Sequence, residues 1–199
     1  MAHEVHLVPL KNGTYTFRID GAQNLTHDEA VKLISSPDIL QDPANRAVLD
    51  SLVPASEWLR GQQRRLRKRF PWMDLLLEFG QDFSPVDQVF FDKERAGHCF
   101  VASFQDVHRM REKQLPIEYV EGVGIFAYRV IHHGWTCHGT KAFDFAWPAP
   151  LLSRYFGIAF DIDWMDEVFG ILKGQGRVSV FRHWNTHQRE IEQYLTSRQ

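Results

Sequence analysis

Two cysteines, Cys99 and Cys137, are too few to staple a 199-residue chain, so a disulfide scaffold is excluded and a reducing cytoplasm is the expected location. No apolar run approaches the roughly 20 residues that span a bilayer, and no membrane association is expected. The opening MAHEVHLVPL lacks the basic start and long apolar core of a secretory leader. Charge of one sign is also missing. The formal balance of -2 and a pI near 6.5 argue against a polyanion-binding molecule, so nucleic acid is not an expected partner. There are no internal repeats and no low-complexity tract. A chain of this length buries roughly 70% of its unfolded surface, so neither metal nor disulfide is needed for folding.

What is present is a change of texture along the chain. VHLVPL and TYTFRID are short β-type runs around Asn12-Gly13, a hairpin signal. Thr26-His27-Asp28-Glu29 is a capping-box pattern for a helix that Pro37 stops. Asp42-Pro43 predicts a second helix to about Val53, with Ala44, Val48 and Leu52 on one face, and Ser56 is expected to cap a third. After Pro85, VDQVFFD and HCFVASF predict a second hairpin around KERAG. GVGIFAYRVIHH then predicts one long strand, and KAFDFAW another with Phe143, Phe145 and Trp147 on one face. Ile158, Phe160 and Ile162 alternate before Asp163, the expected cap of a helix to Leu172 closed by Gly174 and Gly176. RVSVF is expected as a strand, with a last helix after Asn185 or Thr186. Short turns between strands favour antiparallel pairing. The expectation is one α+β domain over 1–199, with a hairpin plus helices in 1–80. Residues 85–199 should form a mainly antiparallel curved sheet or partial barrel with two helices.

The strongest charge feature is the run Arg64, Arg65, Arg67, Lys68 after Arg60. With Leu59, Leu66 and Phe70 forming a narrow apolar stripe, it reads as a solvated helix face. The functional alternative is a dock for an acidic protein partner or phosphorylated ligand.

The densest chemistry lies in 132–150, HHGWTCHGTKAFDFAWPAP. A reactive thiolate needs a neighbouring base, and sequence neighbours on a strand point to opposite faces. The useful pairings are therefore Cys137 with His98 or His183, or Cys99 with His138. Cys99, beside Phe100 and Val101, reads as a small buried hydrophobe, whereas Cys137, between Gly134 and Gly139, is the nucleophile candidate. Metal or haem binding by His132, His133, His138 and His183 is the alternative, although HExxH and CxxC patterns are missing and no cofactor is required. The expectation is a small-molecule enzyme, whose acid–base or nucleophilic groups are His133, Cys137, His138, Asp144 and His183. Tyr128, Arg129, Trp135 and Trp147 would be the substrate walls. Asp144 orients a histidine, with Asp161 and Asp163 as alternatives.

Overall fold

The computed structural model describes residues 3–86, 92–172 and 178–198. Strands β1 (Val5–Pro9) and β2 (Tyr15–Ile19) form the expected antiparallel hairpin. Helix α1 (His27–Ile34) carries the full capping box, with Thr26 and Glu29 satisfying each other's backbone N–H groups. Helix α2 (Pro43–Asp50) starts at the Asp42 cap and ends three residues before Val53. Its Asn45 is buried and accepts from the Leu7 N–H at 2.7 Å, clamping the hairpin. Helix α3 (Ala55–Leu66) follows Pro54, so Ser56 is not its cap. The Ser56 N–H and hydroxyl instead donate to Asp82 at 2.9 and 2.5 Å, and a carboxylate from the next strand serves the helix start. Helix α4 (Met73–Phe79) then leads into β3 (Gln81–Pro85).

From here the chain builds a closed barrel in the order β3-β6-β5-β4-β7, where β4 is Glu118–Phe126, β5 Arg129–His138, β6 Lys141–Phe143 and β7 Ser153–Phe160. Every pairing is antiparallel except β3 with β6. The barrel is filled by Phe83, Val120, Trp135, Cys137, Ala142 and Tyr155. The larger core lies outside it, where α3, α4, α5 (Cys99–Glu112), α6 (Ile162–Phe169) and α7 (Trp184–Thr196) cover β4, β5 and β7. No helix among the described residues is long and apolar enough to cross a membrane.

Five expectations are corrected. HCFVASF is the first half of α5, because Cys99, Ser103, Asp106 and Met110 repeat at helical spacing past the point where a strand would end. GVGIFAYRVIHH is a hairpin: Ala127, at φ 50°, turns the chain between β4 and β5, a conformation usually left to glycine or asparagine. KAFDFAW is strand only to Phe143, so its aromatics do not share one sheet face. Asp161, not Asp163, caps α6 by accepting from the Asp163 and Trp164 N–H groups, and left-handed Gly170 ends it before Leu172. Residues 178–181 of RVSVF are a turn leading into a helical loop, and α7 begins at Trp184. Most of VDQVFFD, together with Gly174, Gly176 and Arg177, lies outside the described residues.

Candidate active site

Strand β6 pairs with β5 only from Thr136 to His138. One step earlier, the edge of β5 is open at Gly134, and the N-terminal half of α5 fills it. The Gly134 carbonyl accepts from the Ser103 hydroxyl at 3.2 Å, and its N–H donates to the Cys99 sulfur. A methyl group at 134 would stand 2.9 Å from a Phe100 ring carbon and 3.4 Å from its Cα. Glycine is thus what lets the helix start approach the strand. Cys99 is the first residue of α5, where N–H groups lack intrahelical acceptors and the helix dipole favours a negative charge.

Beside Cys99 lies His133, on the barrel-facing side of β5. Its Nε2 is 2.6 Å from Asp144 Oδ2, and both residues are buried. The Cys99 thiol is close enough to this imidazole for the two to shift each other's acidity. Asp144 sits where β6 ends, and Tyr155 Oη (2.8 Å) and the Ala146 N–H (3.2 Å) donate to it. The Trp135 ring lies nearly parallel to the imidazole at 6.1 Å and Trp147 flanks it at 5.1 Å. Burial alone would lower the His133 pKa, but the Asp144 charge and hydrogen bond, reinforced by Cys99, raise it to about 10. Burial alone would raise that of Cys99. The hydrogen bond and charge of His133 outweigh this and hold the thiol below its ordinary value. The two shifts run in opposite directions, the thiol down and the imidazole up, so each group favours the charged form of the other.

Of the residues singled out from sequence, the structure brings His133, Asp144, Trp135 and Trp147 together. It does not bring the others. Cys137 is sealed inside the barrel, where burial pushes its thiol up to about 12, and the sulfur beside His133 belongs to Cys99 instead. His138 is exposed at the end of β5, away from His133, but together with Thr136 and Phe143 it lines the apolar groove between α5 and β6. His183 stacks on Phe169 of α6 at 4.5 Å. Tyr128, 55% exposed, and Arg129 form the β4–β5 turn at the opposite end of β5 from His138. Asp161 and Asp163 belong to the start of α6. His132 points away from His133 and bonds Glu121 at 2.8 Å. The four histidines therefore do not converge on a metal. Among the described residues, the three groups whose ligand atoms gather within 4.8 Å are Glu4, His6 and Asp20, on the first hairpin. In the basic run, Arg67 pairs with Asp74, while Arg64, Arg65 and Lys68 are exposed.

A groove of about 810 Å³ runs between α5, β6 and the 115–117 segment; Thr136 and His138 of β5 line it, whereas Cys99, His133 and Asp144 are buried behind its walls and do not. Its walls are largely apolar, with Met110, Leu115, Ile117, Phe143 and Phe145, and the Arg95–Asp106 ion pair (2.5 Å) sits among them. Phe143 and Phe145 bracket Asp144, and Asp106 and Met110 continue the face of α5 that begins with Cys99 and Ser103. The helical spacing 99, 103, 106, 110 is the signal in the sequence that places Cys99 on a helix face with Ser103, Asp106 and Met110.

No protein-family model, curated protein or solved structure matches this chain. The class of site therefore rests on the arrangement of the residues: a thiol at a helix N-terminus, an imidazole and a carboxylate in series, all buried. That constellation recurs on unrelated folds and is recognised by the roles of its members rather than by their order in the chain.

Proposed function

We propose that the protein is a thiol-dependent enzyme acting on a small molecule, catalysing acyl transfer or hydrolysis with Cys99 as nucleophile, His133 as acid and base, and Asp144 as the group that orients and charges His133. The observation that carries this reading is the Cys99–His133–Asp144 series, in which the thiol is held below its ordinary pKa and the imidazole far above its own.

The chemistry follows from those protonation states. The Cys99 thiolate adds to the carbonyl carbon of an ester, thioester or amide, and the oxygen becomes an oxyanion. N–H groups of the first turn of α5 are available to it as donors. When the tetrahedral adduct collapses, the bond to the leaving group breaks and the leaving group takes the proton from His133. A thioester remains on Cys99. Water, or an acceptor hydroxyl or amine, then gives a proton to His133 and attacks the thioester, and the thiolate–imidazolium pair is restored. The apolar groove lined by Met110, Leu115, Ile117, Phe143 and Phe145 would hold an apolar acyl group, on the face of α5 that Asp106 and Met110 share with Cys99. Asp144, hydrogen-bonded by Tyr155 and the Ala146 N–H, keeps the imidazole turned toward Cys99.

The test is a series of p-nitrophenyl acyl esters followed by intact-mass and peptide mass spectrometry. A stoichiometric burst and an acyl adduct on the Cys99 peptide are expected. Turnover that survives Cys99→Ala, or an adduct on Cys137, would overturn the assignment.

A further inference from the structure

A second cleft, of about 580 Å³, lies where α3, the first hairpin's turn and the β4–β5 turn meet. Cys99, His133 and Asp144 do not line it: β5 contributes Arg129, Val130 and Ile131, from its start. Three guanidinium groups reach it from separate places. Arg65 is in the last turn of α3, Arg69 in the turn that follows, and Arg129 comes across from the β4–β5 turn. No carboxylate lines the cleft, and none of these three arginines has an ion pair among the described residues.

How the arginines are held matters more than their number. The Arg69 guanidinium rests over the Phe70 ring at 5.0 Å and that of Arg129 over the Tyr128 ring at 5.8 Å. Stacking uses the flat face of a guanidinium and leaves its in-plane N–H donors unspent. The back wall is Trp58, fixed by donating from Nε1 to the Asn12 carbonyl at 2.7 Å, with Arg154 behind it at 5.8 Å. Complementing the C-terminal dipole of α3 would explain Arg65 but not Arg129, which belongs to another element.

We propose that this cleft binds a small molecule bearing a di- or triphosphate, its phosphate oxygens received by Arg65, Arg69 and Arg129 and its remaining part lying against Tyr128 and Trp58. Three forked donors lining one cleft without a carboxylate among its walls match the several oxygens of an oligophosphate. The volume is that of a small-molecule site, and the chain's net charge of -2 disfavours a long polyanion. This assignment does not depend on the chemistry proposed for Cys99.

Calorimetric titration of the full chain with pyrophosphate, and separately with ADP, tests it. Saturable one-to-one binding is expected, weakened about tenfold or more by Arg69→Gln and by Arg129→Gln, the loss of one charged hydrogen-bond pair. Arg64→Gln and Lys68→Gln, exposed neighbours outside the cleft, should change affinity about twofold or less. Arg129→Lys should fall well short of wild type, because it keeps the charge but loses the fork. Cys99→Ala should bind as wild type does, which separates this cleft from the thiol site. Melting temperatures report folding, and if Arg129→Gln fails to fold, Arg69→Gln carries the test alone. Equal losses across all four glutamine variants would overturn the proposal, as would no saturable binding. So would a single-stranded oligonucleotide or polyglutamate binding where pyrophosphate does not.

Discussion

His132 and His133 are adjacent on β5, point to opposite sides of the barrel wall, and each meets a buried carboxylate. The two pairs differ in what else reaches the carboxylate. Glu121 accepts from His132, the Tyr119 and Ser179 hydroxyls and the Val180 and Phe181 N–H groups, all between 2.7 and 2.9 Å. Its two oxygens are saturated, and the His132 ring is wedged among Trp72 and Phe100 at 4.8 and 4.7 Å. Asp144 has fewer donors, and its histidine lies close to a thiol at the start of a helix. One pair is closed on itself, and the other is the one we propose to be reactive. A buried ion pair becomes structural when every polar atom is consumed inside, and becomes chemical when one partner is left facing a group that can react.

Substitutions should separate the two sides in opposite currencies. Cys99→Ala or His133→Asn should lower ester turnover by at least about 10³-fold, with the urea midpoint little changed for Cys99→Ala. Glu121→Ala should do the reverse and cost about 3–5 kcal/mol in urea unfolding, because it strands a histidine and four other donors. If Glu121→Ala spared stability and removed activity, the comparison would be inverted. Asp144→Asn keeps the hydrogen bond but not the charge, and a drop of about 10- to 100-fold in kcat/KM is expected. Cys137→Ala should cost about 1–2 kcal/mol and leave turnover within about twofold.

Acidity sharpens the same contrast. Turnover should rise as Cys99 loses its proton, at a pH below its ordinary value of 9.0, and fall as His133 loses its own near about 10. Asp144→Asn should move the alkaline limb down, since the Asp144 charge is what raises His133. For stability the two pairs work at opposite ends. His133 is raised above its ordinary 6.5, so its contribution is complete below 6.5 and disappears as pH rises through about 10. Burial works against ionised Glu121, but His132, Ser179 and the Phe181 N–H more than offset it and lower its pKa. Its contribution is present above the ordinary 4.5 and disappears as pH falls through the folded value. Chemical denaturation across pH, with Glu121→Gln removing only the acid-side dependence, checks both signs.

Local chemistry was the legible part of the sequence. The Asn12-Gly13 turn, the Thr26 box and the Asp42 cap are set by residues within four positions of one another, and all three form. Period-two reasoning went wrong where a window was too short. HCFVASF shows its helical repeat only when extended to Met110, and Ala127 gives no compositional hint of the turn it makes. Asp144 was suspected from proximity, and its bond to His133 needs only the short β5–β6 connection. Cys99 was set aside because its partner lies 34 residues on, across a strand edge opened by the early end of β6. Nothing in the spacing of Glu121 and Ser179 announces that they touch.

The Glu121 cluster also has a consequence for how the molecule is assembled. Its donors at Ser179, Val180 and Phe181 lie about 60 residues downstream of the carboxylate, a closure that is slow to find because so much chain must be ordered first. Until it forms, Glu121 must stay solvated, and β4 cannot settle against the helices that cover it. Since β4 pairs along the length of β5, the strand that carries His133 is not held in place until that closure is made. On the ribosome, Cys99 would meet His133 in its final setting only after the segment around residue 180 had emerged, so that the reactivity proposed for this pair would wait until most of the chain had been made.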